Sequence, residues 1–329
     1  MEKIAFISDG TYIYWSSIVL TLAVLSAVTF FAAMYLFKGG KVFAAAVTVP
    51  VAMVTSIVLS RLIHWYCRSD AYESLELALT DYSRGGFALM GVFFGCILTA
   101  FLLRMIRVDQ NLPRMFDCMA LGGGLGIAVG RLASLFNASD RGAILPEYIS
   151  MPFAYPVTND VSGLVENRLA TFLIQSMFTG GLVAVLLLYL VVKKLCKKKI
   201  ADGDLCLLFL LCYGASQIVC DSTRYDSLFL RSNGFISVVQ ILGLGAVLIP
   251  IFVFSYRMVR NRGLKWFHFL LWLAVGGLMG LAGYMEYYVQ RHGNAAVMAY
   301  SVMSGALTGI VLLTLIIRLI GSRNIKKTV

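Results

Sequence analysis

Two arginines lie inside apolar stretches long enough to span a membrane: Arg61 in SRLIHWYC and Arg131 at the end of LGGGLGIAVGR. A charge at that depth is costly, and intramembrane ionisable residues mark places where something is bound or relayed. A guanidinium presents a planar fork of donors that matches phosphate. Arg131 is followed by Asn137, Ser139, Asp140 and Arg141, so it fits the anionic headgroup of a phospholipid at a membrane surface. A structural alternative stands beside this one. Gly122, Gly123, Gly124, Gly126 and Gly130 let a helix pack closely, and an arginine at a helix end snorkels to the interface.

Other candidates flank these two. His64 follows Arg61 by three residues, on the same face of a helix. It could accept a proton from a nucleophile, or pack in an interfacial aromatic belt with Trp65 and Tyr66. Asp221 and Arg224 in CDSTRYDS have the same spacing. They could form a local ion pair, or Asp221 could orient Arg224 towards a phosphate, with Gln217 one turn earlier on that side. Ser83-Arg84-Gly85-Gly86 could shape a re-entrant backbone or simply end a loop. Glu286, the only acidic residue in its apolar run, could face the bundle or reach Arg291.

Seven cysteines are present, without a CxxC or a Cys/His spacing suited to a metal. No metal or cofactor is expected. Only Cys67 and Cys220 fall near the same outer face, where a disulfide would have to form; the others read as small apolar core residues. The chain has no G-x-S-x-G elbow, P-loop or H-E-x-x-H.

The elements that must position these residues are legible from composition. The 329 residues are 59% hydrophobic and 14% charged, and the mean hydropathy is +0.82. Long apolar runs recur, whereas a transmembrane barrel would show short alternating segments. The reading is an all-α, polytopic transmembrane bundle of about nine helices: 13–37, 42–66, 86–103, 115–136, 169–192, 205–220, 235–256, 266–288 and 295–317. The first apolar run is full length with no small-residue cleavage site, so it does not read as a signal peptide. Alternate loops carry 18 basic residues against eight on the opposite set. This bias predicts the N-terminus outside and the C-terminus in the cytoplasm. In such a chain the net charge of +11 marks cytoplasmic loops and anionic lipid and argues against nucleic acid. The outer loops 67–85, 137–168 and 221–234 would converge on one face. The middle one is the longest, with Pro146, Pro152 and Pro156.

With these residues in view, the chain resembles the prolipoprotein diacylglyceryl transferase family over about residues 12–256. Tyr14-Trp15 resembles the aromatic opening of the family's first helix, and Ser60-Arg61-Leu62 its small-Arg-Leu segment. Gly85-Gly86 with Gly91 and Gly95 resembles its glycine-rich third-helix entry. Gly130-Arg131-Leu132 with Asn137 and Gly142 resembles its signature, and Tyr213-Gly214 with Asp221 and Arg224 its sixth-helix segment. The chain departs from the family pattern elsewhere. Met90 stands for a histidine, Ser134 for an asparagine, Ser139 for a glutamate, Gln217 for an arginine, Asp221 for a glutamate and Ser16 for a tyrosine. The family's stretch before helix five is not recognisable in 165–171.

The resemblance implies a seven-helix membrane domain at 1–258, with two further helices at 259–329, in a bacterial cytoplasmic (inner) membrane. It implies transfer of diacylglyceryl from a phosphatidylglycerol-like lipid to the cysteine thiol of a lipoprotein precursor, or to another acceptor. Arg131, His64 and Asp221 would carry the catalysis. Arg61, Arg131, Ser134, Asn137, Gly142, Gln217 and Arg224 would hold the headgroup. The alternative is a catalytically degenerate paralogue that binds lipid or a partner. A transporter built on Arg61, Arg131 and Glu286 ranks behind both, since no internal repeat is visible.

Overall fold

The computed structural model describes residues 3–8, 11–69, 72–81, 86–137, 139–145, 152–158, 163–197, 200–230, 233–292 and 295–322. Ser83, Arg84, Gly85, Pro146, Lys198, Lys199, Arg231, Arg323, Lys326 and Lys327 lie outside the described residues. Along the chain run β1 (Ile4–Ser8), β2 (Thr11–Tyr14), α1 (Trp15–Phe37), α2 (Val42–Cys67), α3 (Leu75–Thr80), α4 (Leu89–Met105) and α5 (Leu112–Arg131). A 3₁₀ turn at Leu132–Leu135 precedes β3 (Ala154–Thr158), β4 (Val165–Leu169), α6 (Thr171–Leu195) and α7 (Asp204–Ser222). Then come β5 (Phe229–Leu230), β6 (Asn233–Ser237), α8 (Val238–Arg262), α9 (Trp266–His292) and α10 (Ala296–Ser322).

Eight of these helices are long and apolar enough to cross a membrane, and α4 is a shorter apolar helix. The protein is a multi-pass helical membrane bundle, and each of the nine expected helices is present. The loops hold what the sequence reading did not contain: three two-stranded antiparallel hairpins, β1–β2, β3–β4 and β5–β6, and the one-and-a-half-turn helix α3. Strands of two to five residues fall below the length at which hydropathy periodicity separates them from loop.

The chain divides into two compact units. The first comprises 1–209 with 223–238. Here glycines set the helix spacing. Gly122 and Gly126 of α5 face Ala27 of α1, and Gly130 faces Ala23; these i, i+4, i+8 positions form one stripe along α5. Gly124, on another face, meets Phe209 and Val183. Gly91 and Gly95 of α4 bring its backbone onto Ser60 and Ser56 of α2, where a Cβ would overlap the α2 main chain. Ser60 Oγ donates to Ala88 O at 2.7 Å, and the Thr55 and Thr99 hydroxyls pair at 2.8 Å.

The opposite end of this unit is fastened by buried ion pairs. Lys38 Nζ lies 2.5 Å from Asp117 Oδ2, whose side chain is fully buried. Asp117 also accepts from the amides of Gly203 (3.0 Å) and Cys206 (2.8 Å). Asp109 accepts from the Tyr35 hydroxyl and from Arg114 Nη2 at 3.1 Å. Burial alone would raise the Asp109 pKa, but these donors and the Asn111 amide hold it below the ordinary range.

The second unit comprises 210–222 with 239–329. Gly214 approaches Gly243 O, Gly309 approaches Leu278, and Gly321 approaches Met258. Trp272 Nε1 donates to Ser255 Oγ at 3.0 Å, and Asn261 Nδ2 to Gly321 O at 3.0 Å. Glu286 is buried, and its Oε1 accepts from Gln290 Nε2 at 3.0 Å. Of the two places open to it, the bundle is the one it takes.

All seven cysteines are free thiols, Cys67 and Cys220 included. Cys118 is buried as expected, but Cys196 is exposed. It caps the C-terminus of α6, beyond the apolar run.

Candidate functional site

The site grows from the end of α5. The helix stops at Arg131, and the 3₁₀ turn Leu132–Leu135 swings the chain so that Asp140 returns to the arginine. Arg131 Nη1 lies 2.6 Å from Asp140 Oδ1, and Arg224 Nη2 lies 2.7 Å from the same oxygen. One carboxylate oxygen therefore bridges two guanidiniums. Asp140 Oδ2 accepts from Ser134 Oγ at 2.9 Å. The Asp140 amide donates to Asp226 Oδ2 at 2.9 Å, and Arg224 Nε donates to Asp226 Oδ1 at 2.9 Å. The Arg131, Arg224 and Asp140 side chains are 12%, 11% and 14% exposed, so the cluster is recessed but open to its surroundings.

Burial by itself would push the Asp140 pKa up. The charges of Arg131 and then Arg224, with the bonds from Arg131 and Ser134, instead hold it down at about 2. Arg224 is held above its ordinary value: burial opposes this, and Asp140 and Asp226 overcome it.

Arg141 adds a third guanidinium behind the turn. It is buried, and its Nη2 donates to Ser134 O at 2.8 Å and Asn137 O at 3.1 Å. Its plane lies over Phe172 (4.4 Å) and Tyr155 (4.9 Å). Burial pulls its pKa down. Three arginines thus meet two aspartates, and the cluster keeps a positive surplus. Gly142 lets this loop press against β4 and α6. Its amide donates to Leu169 O at 2.8 Å, and a Cβ there would strike Thr171 and Leu169. Asn137 is exposed and accepts from the Ser139 amide at 3.1 Å. The β3–β4 hairpin closes the side: Arg168 reaches Glu166 at 2.6 Å and lies over Tyr225 at 4.5 Å.

Arg61 and His64 belong to another cluster of the same unit. Arg61 is buried; its Nη1 donates to Gly86 O at 3.0 Å and its Nη2 to Asp81 O, with the Phe87 ring at 5.0 Å. It ties Asp81, just after α3, to Gly86, ahead of α4. His64 Nδ1 lies 3.1 Å from Tyr72 Oη. Gly86, at φ +84°, fits between Tyr72, Arg61 and His64, where no Cβ has room. Among the described part of the glycine pair, this close approach is the purpose of the glycine.

Gln217 and Asp221 sit on the last turns of α7, in the second unit, and both are 2% exposed. α7 ends at Ser222, so Asp221 lies on the helix and Arg224 just beyond it. The carboxylate partners of Arg224 within its own unit are Asp140 and Asp226. Met90 is buried on α4, and Ser16 is half-buried on α1.

Sequence reasoning brought Arg131, Ser134, Asn137 and Arg224 towards one place. It missed the roles of Asp140, Asp226, Arg141 and Tyr72. For Asp140 a signal existed: an acid one residue past Ser139, where the resembled family carries a glutamate. For Asp226 none did, because it meets a loop 86 residues earlier in the chain; for Tyr72 none did, because the chain turns back on α2 to bring it to His64.

Comparison with known proteins agrees with this architecture. The family model described as prolipoprotein diacylglyceryl transferase matches residues 3–256. A phosphatidylglycerol–prolipoprotein diacylglyceryl transferase of Clostridium kluyveri is 25% identical over 265 residues, covering 80% of this chain and 99% of its own. The protein of that name from Clostridium novyi is 24% identical over 214 residues, covering 64% and 79%. One from Gloeobacter violaceus is 31% identical over 168 residues, covering 50% and 60%.

Proposed function

The chain belongs to the prolipoprotein diacylglyceryl transferase family, and from that premise we propose that it transfers diacylglyceryl from phosphatidylglycerol to the cysteine thiol of a lipoprotein precursor. The observation that carries the reading is the pair Arg131–Arg224, whose Nη atoms converge within 2.7 Å of one anionic oxygen. That oxygen belongs to Asp140, and two guanidiniums converging on one carboxylate oxygen have the donor arrangement a phosphate oxygen would take. The names of the relatives supply the donor lipid and the acceptor.

In the proposed reaction the thiolate is the attacking form. It forms a C–S bond to the glyceryl carbon, and the C–O bond to phosphate breaks. The electron pair leaves on glycerol phosphate, whose developing charge Arg131 and Arg224 stabilise. Ser134 and Asn137 shape the loop around the headgroup, and Gly142 lets that loop close on α6. The thiol proton goes to His64. In the tautomer whose Nδ1–H donates to Tyr72 Oη, Nε2 keeps the lone pair that accepts it. Asp221 is the second choice for this role. Arg61 serves the site by holding Asp81 and Gly86, and Gly86 in turn packs against Tyr72 and His64.

The proposed orientation places the N-terminus outside, with the site at the outer leaflet of a bacterial inner membrane; the basic bias of the alternate loops supports it. The proposed division is a family-like part at 1–258 and an addition at 259–329, and the family match ending at residue 256 supports it.

A second reading keeps the lipid grip without the transfer. Met90, where the resembled family carries a histidine, favours it. One experiment separates the two. Purified protein is given phosphatidylglycerol and a peptide bearing a lipobox cysteine, and the peptide mass is measured. The transferase yields a diacylglyceryl-modified peptide and free glycerol phosphate. Unmodified peptide, with phosphatidylglycerol still bound, leaves the binding protein.

A further inference from the structure

The phosphate grip is occupied by the protein's own anion. Asp140 Oδ1 stands 2.6 Å from Arg131 Nη1 and 2.7 Å from Arg224 Nη2. A phosphate oxygen bonded to both nitrogens would need that same volume. The two anions cannot share it, and side by side they would repel.

We propose that Asp140 is a resident counter-anion that fills the phosphate position while no lipid is bound and is displaced by the headgroup. It thereby sets the threshold that an anionic ligand must exceed. The inference rests on the reading of Arg131 and Arg224 as a phosphate grip.

Three features fit exchange better than a permanent brace. Asp140 holds a left-handed backbone, φ +56°, a conformation uncommon outside glycine, asparagine and aspartate that recurs at switch positions. Its second oxygen already accepts from Ser134 Oγ, which in turn lies 3.2 Å from Ser139 Oγ. Rotation of the carboxylate can therefore release both arginines while keeping a hydroxyl partner. The two arginines also act on each other as like charges. An empty grip would splay, so a built-in anion keeps it assembled between substrates.

The test uses the full-length protein in nanodiscs of phosphatidylcholine, titrated with phosphatidylglycerol. The variants are Asp140→Asn, Asp140→Glu, Arg131→Gln and the double variant Asp140→Asn/Arg131→Gln. Removal of the competing charge should tighten phosphatidylglycerol binding by about tenfold or more in Asp140→Asn. Asp140→Glu, which keeps the charge, should bind no tighter than the parent. The gain should vanish when Arg131 is also replaced. Unchanged or weaker binding in Asp140→Asn overturns the inference and makes Asp140 a brace. If Arg131→Gln binds as well as the parent, the phosphate grip itself is wrong, which is a separate failure.

Hydrogen exchange on the unmodified protein reads the same event should Asp140→Asn not fold. Phosphatidylglycerol should speed exchange in 139–141, where the Asp140 amide is tied to Asp226. Slowed or unchanged exchange there contradicts displacement.

Discussion

Asp140 carries a consequence for pH. Its carboxyl titrates at about 2 in the folded chain, against an ordinary 3.8. A depressed folded-state pKa gives stability that is complete above the unfolded value and is lost as pH falls through the folded one. The contribution, about 2 kcal/mol, should therefore disappear between pH 4 and pH 2. Thermal melts across that window should fall more steeply for the parent than for Asp140→Asn; parallel curves would deny the coupling. Gly86 offers a second residue-scale test. A side chain there meets Tyr72, Arg61 and His64 at a positive φ. Gly86→Ala should cost about 1–3 kcal/mol by overpacking and disturb the His64 contact, seen as a lowered melting temperature together with reduced transfer. Arg131, Arg224 and His64 were all legible as chemistry-bearing types in the sequence. Their carboxylate and phenol partners were not, because a partner is chosen by the fold of a loop and not by spacing along the chain.

Between helices the glycines divide into two kinds that the sequence does not distinguish. Gly91 lies against the Ser60 backbone, whereas Gly123 has nothing within 4 Å of an added Cβ. Gly91→Ala should therefore separate α4 from α2 and destabilise the protein. Gly123→Ala should be neutral or stabilise by up to about 1 kcal/mol, through helix propensity. Melting temperatures that move together would contradict this packing. The Lys38–Asp117 pair ties α1 to α5, and through two amides to the start of α7. Removing one partner of a buried pair leaves the other uncompensated, so Asp117→Asn should cost about 3–5 kcal/mol. The spans themselves were readable because twenty-residue apolar runs have few alternative fates. The hairpins were not, and β3–β4 matters most: it supplies Tyr155 to the Arg141 stack.

On the scale of the whole molecule, the chain falls into two compact units, and the Arg131–Asp140–Arg224 cluster lies within the first. The order of the motifs along the chain carried the family; the site's closure did not follow from it, since Asp140 reaches Arg224 across more than eighty residues. If 259–329 is an addition to a working core, a chain ending after α8 should keep phosphatidylglycerol binding; loss of binding in a truncated chain that still melts cooperatively would contradict that division. The central claim is that Arg131 grips the phosphate of a lipid. The most direct measurement is phosphatidylglycerol binding and transfer to a lipobox peptide by Arg131→Gln, with folding checked by its melting curve. The account predicts a folded protein in which both fall at least about a hundredfold; a folded variant that binds and transfers like the parent would contradict it.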